Sequence, residues 1–271
     1  MKKFSLFYAN VFIILCLLSP KFLYAETAAS AQERFILVQD TGAIVGLTPE
    51  KARYVADAYI ENLGSVADEV EQFFNYVRKE PIFLHLTPKY KYVRDIKAPG
   101  WAGALFTANA IIVPVGSDSI KELQNTPKIQ QVLRHEYVHA LVYELSGGQC
   151  AVWLDEGLAQ MLEGNSNSKL AVSLKAWLRD NNSIPLNQLD NGFINLDKQH
   201  APIVYAQSLY ATKFLISKYG MTKVVAFLQN LKHGIHQTSA FKLTFGVTVE
   251  EFDNALSKSL EQWFKAGETT I

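Results

Sequence analysis

The chain has 271 residues, 49% hydrophobic and 12% aromatic, with 26 basic and 26 acidic side chains that cancel to a formal net charge of zero. That length and apolar content can bury a sizeable core in one large or two small domains, and they exclude a disordered or low-complexity chain. No basic stripe stands out along the sequence, which argues against nucleic acid as a partner.

Residues 1–25 have the pattern of an export signal. Lys2 and Lys3 precede an apolar run from Val11 to Leu18, followed by Ser19-Pro20 and the small residue Ala25. Cleavage is expected after Ala25, with the 28–31 region as the fallback, so the expected location is exported, periplasmic or secreted. The run is short for a transmembrane span, and membrane contact would come only through retention of this segment. Cleavage leaves Cys150 as the single cysteine. It has no intrachain partner, so the fold has to rest on its core. Leading into the apolar Ala151-Val152-Trp153-Leu154, Cys150 reads as a buried small hydrophobe rather than a reactive thiol.

Phe35 to Gln39 is a predicted strand, with a turn at Asp40-Thr41-Gly42. Thr48-Pro49-Glu50 then opens a long helix, Thr as cap and Pro in the first turn. Tyr54, Val55, Ala58, Leu63, Val66, Val70, Phe73, Phe74 and Val77 keep helical spacing to about Arg78, and Ile60 fits least well. Pro81 to Leu86 and Ala108 to Val115 read as two further strands, separated by the Gly-rich loop 98–103. From Asp118 onward the pattern is helical. One helix starts at Thr126-Pro127 and runs to about Leu145; others are expected at 152–163, 167–180, 203–219, 221–232 and 248–265. The expected class is α+β: a small mixed sheet with a long helix in the N-terminal half, and a mainly helical C-terminal half.

Within the helix from Thr126 stands His135-Glu136-Tyr137-Val138-His139. Residues four apart on a helix lie one above the other, so both imidazoles can reach one metal ion. Glu136 sits beside them, able to act on a water at that metal without being a ligand. The segment 140–155 can finish this helix, turn at Gly147-Gly148 and bring a second helix back with Glu156 near its start. Two His and one Glu form a catalytic zinc set with its fourth position open. Since the helix also carries Ile129, Val132, Leu133, Leu141, Val142 and Leu145, it is expected to be interior, where unpartnered His and Glu side chains are costly. His233 with His236, and His85, are weaker groupings that lack a third ligand.

Residues 135–160 resemble the gluzincin superfamily of zinc metallopeptidases, in which H-E-x-x-H is paired with a Glu on the following helix. Trp153-Leu154-Asp155-Glu156-Gly157-Leu158-Ala159 is close to the W-L-N-E-G-F-A string of the aminopeptidase branch, and Tyr205-Ala206-Gln207-Ser208 with the later Tyr219-Gly220 looks like compact bacterial members. The similarity covers 50–265 loosely and reaches motif grade only over 135–160. It implies a zincin-like domain over residues 26–271, with an α/β lobe at about 35–116, a helical lobe at 117–271 and a zinc cleft between them. Carried over by position, His135, His139 and Glu156 would ligate Zn2+, and Glu136 would be the general base in hydrolysis of a peptide or protein substrate by zinc-activated water.

The resemblance also implies an oxyanion donor, for which Tyr205 is the first candidate and Tyr210 the second. It implies an edge strand pairing with substrate backbone, placed at Ala108 to Val115, with Trp101 and Phe106 near the cleft. Where thermolysin-like members place an Asp four residues after the ligand Glu, this chain has Gln160, which can accept a hydrogen bond but adds no charge. Asp155 reads equally well as a helix N-terminal carboxylate. The alternative from another class is a non-catalytic zinc-binding envelope protein involved in assembly or binding; Glu136 argues against it, because a structural site has no use for a base. No amine-binding motif for a free N-terminus is recognisable, which points towards endopeptidase action.

Overall fold

Phe35–Gln39 (β1), Ile82–Pro88 (β2), Leu105–Thr107 (β3) and Ala110–Val115 (β4) build one four-stranded sheet in the order β1-β2-β4-β3. This is a computed structural model, and it describes residues 34–39, 48–96, 103–107, 109–164, 168–190 and 201–271. The expected signal segment, the turn at 40–42 and residues 98–102 of the Gly-rich loop lie outside the described residues. β1 pairs parallel to β2 and β2 parallel to β4, whereas β3 runs antiparallel to β4. Parallel neighbours need a crossover between them, and the 26-residue helix α1 (Pro49–Phe74) lies in the one from β1 to β2. The sheet is mixed, as expected.

The chain divides into two compact units, residues up to 72 with 77–140, and residues 73–76 with 141–271. The first holds the sheet, α1 and the short helices α2 (Lys89–Arg94) and α3 (Ser119–Glu122). Val55, Tyr59, Leu63, Val66, Val70 and Phe74 of α1 are buried along one helical stripe. Ile60, the residue fitting least well by spacing, is buried too, whereas Tyr54 and Phe73 are exposed. The helix stops at Phe74, short of the expected Arg78, because Asn75 turns the chain with a positive φ of 49°. Ion pairs from Arg34 to Asp68 and Glu71, and from Arg134 to Glu69, tie α1 to its neighbours.

α4 (Thr126–Ser146) begins at Thr126, where expected. The second unit is helical: α5 (Val152–Leu162), α6 (Ser168–Leu178), α7 (Leu186–Leu189), α8 (Ala201–Tyr219), α9 (Met221–Lys232), α10 (Gln237–Phe245) and α11 (Val249–Ala266). α8 is its centre, packed against α5, α6, α9 and α11 through buried Val204, Ala206, Leu209, Ala211 and Leu215. Phe227, Phe241, Phe245 and Phe252 interlock beside it at ring-centroid distances of 4.6 to 5.7 Å. α11 starts on a capping box: Glu251 N donates to Thr248 Oγ1 at 3.1 Å and Thr248 N to Glu251 Oε2 at 2.7 Å. α10 was not expected from the sequence; it is short, and its C-terminus is marked by Gly246 in the left-handed region. Among the described residues no helix is long and apolar enough to cross a membrane.

Candidate metal centre

α4 buries Leu133, Tyr137, Val138, Leu141, Val142 and Leu145, which fixes its rotation and leaves His135 and His139 together on a half-buried face. Their rings meet edge to face, centroids 4.8 Å apart at 77°. The i, i+4 spacing alone accounts for that pairing.

Glu156 is supplied by α5, whose start is held from outside the helix. Ala151, the N-cap residue, makes no side-chain cap bond. Instead Asp190, just past α7, accepts the Val152 amide at 2.9 Å on one oxygen and the Gln237 amide side chain at 3.2 Å on the other. Next to Glu156, Gly157 lets α5 approach α8 closely. A Cβ there would overlap Thr212 Oγ1 and lie 2.5 Å from the Ser208 carbonyl oxygen. Only glycine fits.

One ligating atom from each of His135, His139 and Glu156 lies within 4.8 Å of the other two, and all three side chains are half-buried. The sequence-expected trio is brought together. Two imidazoles and a carboxylate are a borderline-soft donor set suited to zinc, and three protein ligands leave a fourth position for water or substrate. By donor chemistry and spacing, the residues fit a catalytic rather than a closed structural zinc site.

Glu136 is buried, and its Oε2 accepts the backbone amide of Phe106 at 2.6 Å. Phe106 is the middle residue of β3, and this contact corrects the expected edge strand. β4, where the edge was placed, is interior, bonded to β2 on one side and β3 on the other. The three-residue β3 is the edge strand on that side, and the sequence concealed it because so short a strand has no measurable alternation. Trp101 and Ala108 lie outside the described residues.

Three other side chains near this helix were not singled out by sequence. Tyr92 of α2 is buried with Ile112 and packs against Leu105 and Ala110; among the described residues its hydroxyl has no hydrogen-bond partner. Burial, and secondarily the charge of Glu136, push the Tyr92 phenol well up. Inside the pentapeptide, Tyr137 donates its hydroxyl to buried Glu71 at 2.6 Å, and Arg78 donates Nη1 to the Ala140 carbonyl at 2.8 Å. Charged residues at the end of a predicted helix carry no sequence mark of such long-range partners.

Tyr205 lies in the second turn of α8, half-buried, three residues before Ser208 and seven before Thr212, on the face that meets α5 at Gly157. Tyr210 is engaged elsewhere: its hydroxyl donates to the Ser259 carbonyl at 3.1 Å and its ring meets Trp263 edge-on. That removes it as a second oxyanion candidate. Asp155 stands in the first turn of α5. Cys150, expected to be buried, is half-buried; desolvation of its thiol, reinforced by Asp155 and Asp190, pushes it well above its ordinary range. His233 and His236 flank the α9–α10 turn, where His236 Nδ1 meets Thr238 Oγ1 at 3.0 Å.

A family model described as the Peptidase MA superfamily matches residues 79–262, more than half of the chain. No curated protein matches significantly. Among solved structures, a point mutant of an M1 zinc metallopeptidase from Deinococcus radiodurans aligns at 17% identity and a TM-score of 0.41, covering 82% of this chain and 48% of that one. A two-domain M1 zinc metallopeptidase bound to L-arginine aligns at 18% identity and a TM-score of 0.42, covering 88% and 51%. This chain thus spans about half the length of each.

Proposed function

The chain belongs to the Peptidase MA superfamily and its donor set is that of a zinc metallopeptidase; from that premise we propose that it is an exported enzyme hydrolysing peptide bonds, with Glu136 as general base. The observation that carries the reading is the convergence of His135, His139 and Glu156 within 4.8 Å, with the Glu136 carboxylate on the same helix.

His135, His139 and Glu156 would hold the zinc. When bound, zinc would polarise the substrate carbonyl and lower the pKa of a water in the open position. The chain's own residues do the rest. Glu136 Oε2 is held by the Phe106 amide, so Oε1 is the oxygen that takes a proton from the attacking water and then delivers it to the leaving amine. The Tyr205 hydroxyl donates to the oxyanion that develops on the carbonyl. β3 carries the backbone edge beside which an extended substrate aligns. Export rests on the basic and apolar pattern of residues 1–25.

Metal analysis of the purified chain, paired with a peptide-library digest by wild type and Glu136→Gln, tests the proposal. One zinc per chain and cleavage lost in the variant are expected. Absence of zinc, or equal cleavage by both proteins, would overturn it.

A further inference from the structure

We propose that Arg78 is a positioning residue for Glu136: with Asn109 it clamps the β3–β4 hairpin to α4 and so sets where the carboxylate stands. This deepens the reading of Glu136 as general base and rests on it.

The geometry is a two-point attachment. Glu136 and Ala140 are four residues apart and lie on one face of α4. The hairpin meets that face at both places. At the first, the Phe106 amide donates to Glu136 Oε2 at 2.6 Å. At the second, Arg78 bridges the two elements, donating Nη1 to the Ala140 carbonyl at 2.8 Å and Nη2 to Asn109 Oδ1 at 2.6 Å. Ala140 is the neighbour of His139 and fully buried, and its carbonyl lies inside the helix, where it already serves the backbone ladder. A guanidinium bond to such a carbonyl is an extra tie on the helix, placed one residue from a zinc donor.

Both ends of the bridge are themselves fixed. Asn109 stands at the start of β4, its carbonyl accepting the Phe83 amide of β2 at 2.9 Å. Arg78 is held by Glu71, whose Oε1 accepts the Arg78 amide at 3.1 Å and the Tyr137 hydroxyl at 2.6 Å. Arg78 Nε donates to the Glu80 carbonyl at 2.9 Å. The planar fork therefore cannot swing without breaking several bonds, and a Lys at this position could not make the same divergent set. A one-residue tilt of the hairpin would carry the Phe106 amide away from Glu136, and an error of about 1 Å at a catalytic group costs on the order of a hundredfold in rate. Arg78 is assigned no role as a metal ligand or substrate contact; it acts through the hairpin.

The test compares wild type, Arg78→Met, Asn109→Ala and Asn109→Asp, all loaded with zinc, by steady-state kinetics on a peptide found in the library digest and by amide hydrogen exchange at Phe106. Arg78→Met and Asn109→Ala should lower kcat by about 10- to 100-fold with KM within about twofold, keep one zinc per chain, and speed exchange at Phe106. Asn109→Asp, which keeps an acceptor for the guanidinium, should restore most of kcat. Should Arg78→Met not fold, the two Asn109 variants carry the same comparison from the other end. An unchanged kcat in Asn109→Ala with unchanged Phe106 exchange would overturn the clamp. If wild type cleaves no peptide, the peptidase reading fails, while Phe106 exchange still decides whether the clamp exists.

Discussion

The Phe106 amide donates to Glu136 Oε2 at 2.6 Å, joining the middle of an edge strand to the acidic residue of the His135–His139 pentapeptide. A charge-assisted bond of this kind orients the carboxylate and leaves its other oxygen to the proposed proton transfer. Each consequence of that arrangement and of the donor cluster can be measured.

Glu136→Gln keeps size and shape, and its side-chain oxygen can still accept from Phe106. Zinc content should stay at one per chain, while kcat should fall by roughly two to four orders of magnitude, the range for loss of a general base. A variant that retains more than a tenth of wild-type kcat would assign the base elsewhere.

Glu156→Ala removes the only donor that α5 gives to the cluster. Zinc affinity should drop by more than about a hundredfold, since even outer-shell substitutions cost 10- to 100-fold. Competition against a chromophoric chelator measures it. Prolonged chelation of the wild type should abolish hydrolysis, and added zinc should restore it. Iodoacetamide should leave activity intact at neutral pH, because desolvation and the neighbouring Asp155 and Asp190 raise the half-buried Cys150 thiol.

Gly157→Ala would force a methyl group against Thr212 and the Ser208 carbonyl. Backbone on one side leaves little room to relax, so destabilisation of about 1–3 kcal/mol or more is expected in urea titration. Zinc affinity should weaken as well, since α5 is pushed away from α8. Gly220→Ala is not an equivalent control, because Gly220 has a φ of 79° where any side chain is strained. Gly64→Ala, with open space and helical backbone, is, and it should be neutral or slightly stabilising.

Asp190 caps α5 while half-buried. Burial raises its carboxyl above the ordinary 3.8, and the bonds from Gln237, Val152 and Trp153 only partly oppose that. A folded-state value above the unfolded one means that the folded chain binds this proton more tightly. The contribution to stability is therefore full below 3.8 and declines as pH rises from there through the raised folded value. Asp190→Asn removes this dependence, so the stability of wild type relative to the variant should fall across that window and level off above it. Asp190→Ala should cost about 1 kcal/mol by loss of the cap. Denaturant titrations over a pH series distinguish the two effects; identical pH slopes in wild type and Asp190→Asn would contradict the assignment.

Much of this protein follows from local order along the chain. The pentapeptide puts two imidazoles on one helical face because 3.6 residues make a turn, whatever packs around them. Both helices begin where Thr-Pro stands, but in different ways: the Thr48 oxygen accepts the Lys51 amide ahead of Pro49, whereas Thr126 and Pro127 lie inside the first turn and Asn125 accepts the Lys128 amide. Tertiary structure decided the rest. Three residues of β3 become a strand only through β4, so the edge, and with it the donor to Glu136, could not be read from periodicity. Asp190, distant in sequence, caps α5, and Arg78 reaches Ala140 and Asn109, because hydrogen bonds depend on distance in space and a linear pattern records only spacing along the chain.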